Sequence, residues 1–328
     1  MSSFYTYADM HCDSLLRVIE NGSEAIVCGE GMQSFEHQAA AKQMLQFYAI
    51  FFPSPESYKE WMPGWRKGPI NDDEFYEKLK DALVKETNRH SDKIRMAYSS
   101  DDVIRNESEG IMSAMLTIED GRFVKGDMKK LEKLHRDGVR AIALTWNFAN
   151  CFGFPNSNDK EIMQKGLTDF GKEAVEEMNR LGILVDVSHL SDGGFYDVAR
   201  ITKKPFIASH SNCREITDHS RNLTNDMIRI LAEKGGIAGL NFCPAFTGPD
   251  KQTIENLADH VMHMFKTGGE DFPALGTDFD GISGDMEIEH PEQMQKLFNE
   301  LERRGLSSSQ IEKFAYKNVM RVLRDSVG

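Results

Sequence analysis

The sequence predicts an α/β fold of the (β/α)₈ TIM-barrel class, and three observations predict it. Eight short apolar or β-branched runs alternate with segments of helical periodicity through most of the chain. Most of the runs lack strict alternation, as parallel strands buried on both faces should. Polar residues with metal-binding side chains follow several of the runs, and a barrel gathers its strand ends on one face.

In chain order, strands are expected over residues 5–11, 45–52, 111–118, 139–145, 183–188, 206–209, 237–242 and 272–277. Helical patterns cover 34–44, 127–136, 168–181, 193–202, 225–234 and 253–267. In the third of these, Phe170, Ala174, Val175, Met178 and Leu181 share one face and leave Lys172, Glu173 and Glu177 outward. Gly138, Gly182 and Gly236 each precede a strand, the place of a helix C-cap feeding an αβ loop. Residues 53–110 form a long insertion between strands 2 and 3, with a Pro- and aromatic-rich part over 53–69 and an amphipathic helix over 72–90. A βα loop lies on the active-site face, so the first part is either a lid or pocket wall, or a segment packed on the rim through Trp61 and Trp65. A closing helix is expected over 308–325, with Ser308 as N-cap and Phe314, Val319 and Val322 inward. No internal repeat or Gly/Ser-rich linker divides the chain, so residues 1–328 read as one domain.

Composition narrows the function classes. The 328 residues are 40% hydrophobic and 28% charged, enough for a sizeable core. A net charge of -13 offers no basic surface for nucleic acid or anionic membrane. Five cysteines without a Cys-x-x-Cys pair argue against a disulfide framework. No basic segment followed by an apolar one opens the sequence, and no run approaches the ~18 apolar residues of a membrane span, so a cytoplasmic protein is expected.

The chemistry lies at the strand ends. His11 and Asp13, two apart in an extended chain, point to the same side and suit one ion. Such a triplet is common by chance, and so is a loop acid such as Glu119 after the apolar run 111–118. Glu119 nevertheless has two oxygens, each able to serve a different cation. His189 and His210 end successive strands in equivalent positions, which packing histidines have no reason to do. Asp278 follows the last strand, where a carboxylate can take a proton from water and return it to a leaving amine. Its neighbour Asp280, before Gly281, fits a turn-forming Asx residue better. Five of eight strand ends carrying compatible groups point to a binuclear metal site.

These residues sit in the segments Asp9-Met10-His11-Cys12-Asp13, Leu116-Thr117-Ile118-Glu119-Asp120-Gly121, Asp186-Val187-Ser188-His189, Ser209-His210-Ser211, Arg221-Asn222-Leu223 and Gly276-Thr277-Asp278-Phe279-Asp280-Gly281. In content and order they resemble the membrane (renal) dipeptidase family, zinc dipeptidases within the amidohydrolase group of barrels, in a soluble bacterial type. The resemblance implies that His11 and Asp13 hold one Zn²⁺, that His189 and His210 hold a second, and that Glu119 bridges them. It implies that Asp278 is the catalytic and substrate-contacting aspartate and that Arg221 receives the free carboxylate of the dipeptide, a task suited to a forked guanidinium. It also implies a homodimer. The sequence departs from the family at Leu144-Thr145-Trp146-Asn147, which places Trp146 where the mammalian enzyme has a substrate-binding histidine. An indole N–H donates, but indole neither accepts nor carries charge.

The function implied is hydrolysis of dipeptides, L,L and L,D, by a water bridging two zinc ions. One alternative is cleavage of another amide or a lactam by the same centre. The other is a non-catalytic small-molecule-binding barrel stabilised by metal, against which the presence of Asp278 argues, because a structural site needs no proton shuttle.

Overall fold

The computed structural model describes residues 4–29, 31–53 and 71–327. Trp61 and Trp65, and with them the choice between lid and rim packing, lie outside the described residues. Among the described residues, nine strands form one parallel sheet: β1 (Ala8–Cys12), β2 (Leu45–Phe51), β3 (Ile94–Met96), β4 (Met112–Glu119), β5 (Val139–Ala143), β6 (Leu184–Asp186), β7 (Ile207–Ala208), β8 (Ile237–Leu240) and β9 (Pro273–Leu275). Pairing of β2 with both β1 and β4 closes a ring of eight, the barrel that the sequence predicts.

The ninth strand, β3, is additional. It lies within the insertion and pairs with Met112–Ala114 at the start of β4, while β5 pairs with Leu116–Glu119 further along the same strand. Three residues are too few to show a period in the sequence.

The helices begin where side-chain oxygens meet free backbone N–H groups. Ser34, Asn71, Thr168, Ser191, Thr224 and Thr253 each accept such a bond at a helix start. Gly182 takes the left-handed C-cap conformation, as expected. Gly236 does not: the positive φ belongs to Gly235, and Gly236 instead fits against the Phe206 carbonyl, where a Cβ would overlap. At the C-terminus the N-cap is Ser307, not Ser308, in a capping box with Gln310, and a π-helical stretch Lys313–Lys317 joins the two helical pieces.

That last segment decides which end of the barrel is open. Val319, Val322 and Leu323 pack in one apolar cluster with Ala8, Leu45, Leu184, Ile207 and Ile237, the first residues of five barrel strands. The N-terminal end of the barrel is thereby filled with apolar side chains, leaving the C-terminal end for chemistry. Among the described residues, no helix is long and apolar enough to cross a membrane.

Close backbone approach shapes the β7–β9 side. A Cβ on Gly239 or on Gly276 would overlap the Ser209 carbonyl oxygen. Gly239→Ala or Gly276→Ala is expected to destabilise the fold by about 1–3 kcal/mol, the usual cost of forcing atoms into a packed interior. Denaturant midpoints measure this, and wild-type stability in both variants would refute the constraint.

Candidate metal centre

His11 lies in β1 and Asp13 just beyond it, Glu119 is the last residue of β4, and His189, His210 and Asp278 follow β6, β7 and β9 by two or three residues. The barrel brings all six to one mouth. His11 Nε2 stands 3.3 Å from Glu119 Oε2, 3.5 Å from Asp13 Oδ2 and 3.8 Å from Asp278 Oδ1. Glu119 Oε1 faces the other way, 2.9 Å from His189 Nε2 and 3.5 Å from His210 Nε2. The two histidine nitrogens are themselves 3.1 Å apart, and the His11 and His210 rings stack at 3.8 Å.

Donor atoms of His11, Glu119 and His210, and of His11, Asp13 and Asp278, converge closely enough to hold a metal ion. The fit is also chemical. His11 Nε2 and Asp13 Oδ1 are buried without a hydrogen-bond partner among the described residues, which would be costly for a site made only of protein. Mixed imidazole and carboxylate donors are a set that suits zinc and related divalent ions.

The chain positions these donors through residues that the motifs contain but the sequence reading left without a role. Asp186, buried at the end of β6, accepts the backbone N–H groups of Ser188 and Ser209 at 2.9 Å each, and the Ser209 hydroxyl as well. Ser209 Oγ also lies 2.6 Å from His210 Nδ1, so Asp186 and Ser209 fix the ring whose Nε2 faces Glu119. Asp9 does the same on the other side, accepting the Thr277 N–H at 2.8 Å and its hydroxyl at 2.6 Å. Asn147 Oδ1 sits 3.3 Å from His189 Nδ1. A buried carboxylate inside an otherwise apolar strand was the available signal for both Asp9 and Asp186.

His189 and Asp278 have φ of +67° and +66°, unusual for residues other than glycine. At His189 the strained backbone is held by its carbonyl, which accepts from Thr145 Oγ1, Asn156 N and Asn156 Nδ2 at 3.1, 2.8 and 3.2 Å. Asp278 Oδ2 accepts from Asn241 Nδ2 at 2.9 Å, leaving Oδ1 toward His11. Asp280 also has positive φ, but its carboxylate is not confined to a turn: it accepts from Met32 N at 2.7 Å and faces Arg17.

The electrostatics are those of like charges crowded in a dry place. Burial, with Asp13 and Glu119 nearby, pushes Asp278 up to about 8 against the pull of His11. Burial and Glu119 raise Asp13 to about 6. Burial alone would lower His11, but Glu119 and Asp13 outweigh it and hold its pKa well above the usual value. His189 goes the other way, to about 4, through burial and the Arg221 charge. For Glu119, burial is outweighed by the histidines and its carboxyl falls well below the usual range.

Arg221, in the loop after β7, is buried beside this cluster. Its two η nitrogens donate to Ser211 Oγ at 3.1 Å and to the His210 carbonyl at 3.2 Å, and its guanidinium lies 5.5 Å from the Phe246 ring. Nε has no hydrogen-bond partner among the described residues. Trp146 follows β5 and lies 6.2 Å from the His189 ring.

Comparison with known proteins places the chain in a family. The sequence profile of the family described as membrane dipeptidase (peptidase family M19) matches residues 5–327. Dipeptidase tcpJ of Claviceps purpurea is 29% identical over 282 residues, which is 85% of this chain and 65% of that protein, so the chain spans under two thirds of that relative's length. The crystal structure of dipeptidase AC, a metallo peptidase of family M19, superimposes with a TM-score of 0.87 at 26% identity over 99% of this chain and 100% of that one. A metallo peptidase from Rhodobacter sphaeroides, liganded with a phosphinate mimic of the dipeptide L-Ala-D-Ala, shares the fold at TM-score 0.88 and 24% identity, covering 99% and 100% of the two chains.

Without a bound cation, Asp278 and His11 keep protons in the folded chain that the unfolded chain has released. Their stabilising effect is therefore lost as pH rises. Below about 6.5 the depressed His189 and His210 oppose this trend, because there the unfolded chain takes up more protons. The clean window runs from about pH 6.5 through 8. Metal-free protein is expected to lose thermal stability across that window, and protein loaded with zinc to lose much less; equal slopes in calorimetry would count against the assignment.

Proposed function

Since the chain belongs to the membrane dipeptidase family, whose members are metallo-dipeptidases, we propose that it hydrolyses the peptide bond of dipeptides, L,L and L,D, with two zinc ions. The observation that carries the reading is the division of Glu119: one oxygen faces His11, the other faces His189 and His210. His11 and Asp13 would hold one ion, His189 and His210 the other, and Glu119 both. When bound, the ions lower the pKa of water and polarise the scissile carbonyl.

The rest is the work of the side chains. Arg221 receives the C-terminal carboxylate of the dipeptide. Of its five N–H groups, two are engaged by Ser211 and His210, which leaves donors for a carboxylate and also fixes the guanidinium plane. Asp278 takes the proton of the attacking water on Oδ1 while Asn241 holds Oδ2. The raised pKa belongs to the metal-free site; cations bound beside Asp278 would draw it down and leave a carboxylate able to accept a proton and then deliver it to the departing amine. Burial of the whole cluster keeps bulk water from competing for these groups. A homodimer and a cytoplasmic location are the remaining terms of this reading, open to light scattering and cell fractionation.

Chelation is expected to abolish hydrolysis of a dipeptide library, and zinc to restore it; activity that survives complete metal removal would sink the proposal. Asp278→Asn is expected to lower kcat by about 10²–10⁴ with metal content unchanged, and a variant of near-normal kcat would remove Asp278 from proton transfer. Arg221→Lys is expected to lower the preference for a dipeptide over the same dipeptide amide by about tenfold or more, since a lysine cannot reproduce the forked pair. An unchanged preference would place the carboxylate elsewhere.

A further inference from the structure

The mouth is chemically lopsided. On the β7–β8 side stand Arg221, Asn241 and Ser211, all polar. On the β2–β5 side stand aromatic rings. Phe51, the last residue of β2, is in register with Glu119 on β4, so its ring rises from the barrel on the same side of the sheet as the carboxylate. Trp146, just past β5, packs edge-on against Phe51 with centroids 4.8 Å apart and lies 6.2 Å from the His189 ring. Phe148 continues the surface outward, 5.8 Å from Trp146 and 49% exposed. Phe51 and Trp146 are buried yet close to groups that meet the substrate, so they form a fixed wall and not a mobile surface.

Direction follows from the barrel. In the ring, β7 and β8 lie across from β2 and β4, with the donor cluster between them. A dipeptide whose carboxylate is on Arg221 and whose scissile bond is over the cluster then extends its N-terminal residue toward β2 and β4, where Phe51 stands with Trp146 packed against it. We infer that Trp146, with Phe51 and Phe148, forms an apolar wall against the side chain of the substrate's first residue and makes the enzyme select apolar first residues over charged ones of similar size. Desolvating a charged side chain against rings that offer it no counter-ion costs binding energy, whereas an apolar side chain gains it. Trp146 is on this account a specificity-determining residue, and the inference rests on the dipeptidase reading and on the place of Arg221.

Two substrate series test it with the zinc-loaded protein. In the first, the C-terminal residue is alanine and the first residue is Leu, Asp, Met or Lys; in the second, the first residue is alanine and the same four vary at the C-terminus. The wild-type kcat/KM is expected to favour Leu over Asp and Met over Lys by tenfold or more in the first series. Trp146→Gln is expected to shrink those ratios severalfold, Trp146→Phe to retain them, and neither to change the ratios of the second series. A merely structural role would depress both series together and leave every ratio intact, and that result overturns the inference. So does a change of ratio confined to the second series, which would mean that the substrate lies the other way round. Hydrolysis without any preference at the first residue refutes this inference alone, while failure to hydrolyse any dipeptide refutes the dipeptidase reading with it.

Discussion

Three carboxylates and three imidazoles share a few ångströms of buried space at the barrel mouth, and that crowding governs the rest of the structure. Two like charges 4 Å apart repel by about 4 kcal/mol even at an effective dielectric of 20. Asp13, Glu119 and Asp278 all approach the single nitrogen of His11 to within 3.8 Å. Something positive has to stand among them. A proton on His11 answers in part, which is why its pKa rises despite burial. A bound cation would answer more completely, because it can engage several of these donors at once.

Such a cluster needs a scaffold that does not relax away from it, and the strands alone are too short to provide one. β6, β7 and β9 span three, two and three residues. Side-chain bonds extend the ladder where the backbone pairing stops. Asp186 ties β6 to the end of β7, and Asp9 ties β1 to the end of β9, each by taking one backbone N–H and one hydroxyl from the neighbouring segment. Both aspartates are buried, and burial raises their pKa values, although the bonds they accept pull the other way. The cost is tolerable because each oxygen is occupied. A short strand with a latched end can hold a histidine at an angle that a longer, regular strand would not permit, as the positive φ of His189 illustrates.

How much of this the sequence discloses depends on the range of the signal. Barrel class and the convergence of strand-end donors are legible because both start from a local pattern: an apolar run, then His, Glu or Asp at its end. The division of Glu119 between two histidine sets is implied only by the family resemblance, since no local pattern reports that rings from β1, β6 and β7 meet across the barrel. Asp9 and Asp186 stand in plain view within the motifs, yet their partners Thr277 and Ser209 are fixed only by strand neighbourhood. β3 escapes notice because three residues carry no period. The shift of the left-handed position from Gly236 to Gly235 shows the limit of glycine as punctuation: one glycine supplies the turn, the next a close approach to Phe206.

The seam where β1 meets β9 joins ring closure to chemistry. Beyond the strands, Asp278 N bonds to the His11 carbonyl at 3.2 Å and Asp13 N to the Phe279 carbonyl at 2.9 Å, so the two chain segments remain zipped as far as the donors themselves. Gly281 completes the approach, for a Cβ there would overlap Asp13 Oδ2 and crowd Asp278 Oδ1. Asp280 then anchors the same loop to Met32 and Arg17 in the segment after β1. Two carboxylates that repel each other are thus held together by backbone bonds on both sides of them, from segments more than 260 residues apart in sequence. In the metal-free protein that repulsion is relieved by a proton, which Asp278 keeps up to about pH 8. A bound cation would stand in that proton's place, at the seam where the first and last strands of the barrel meet.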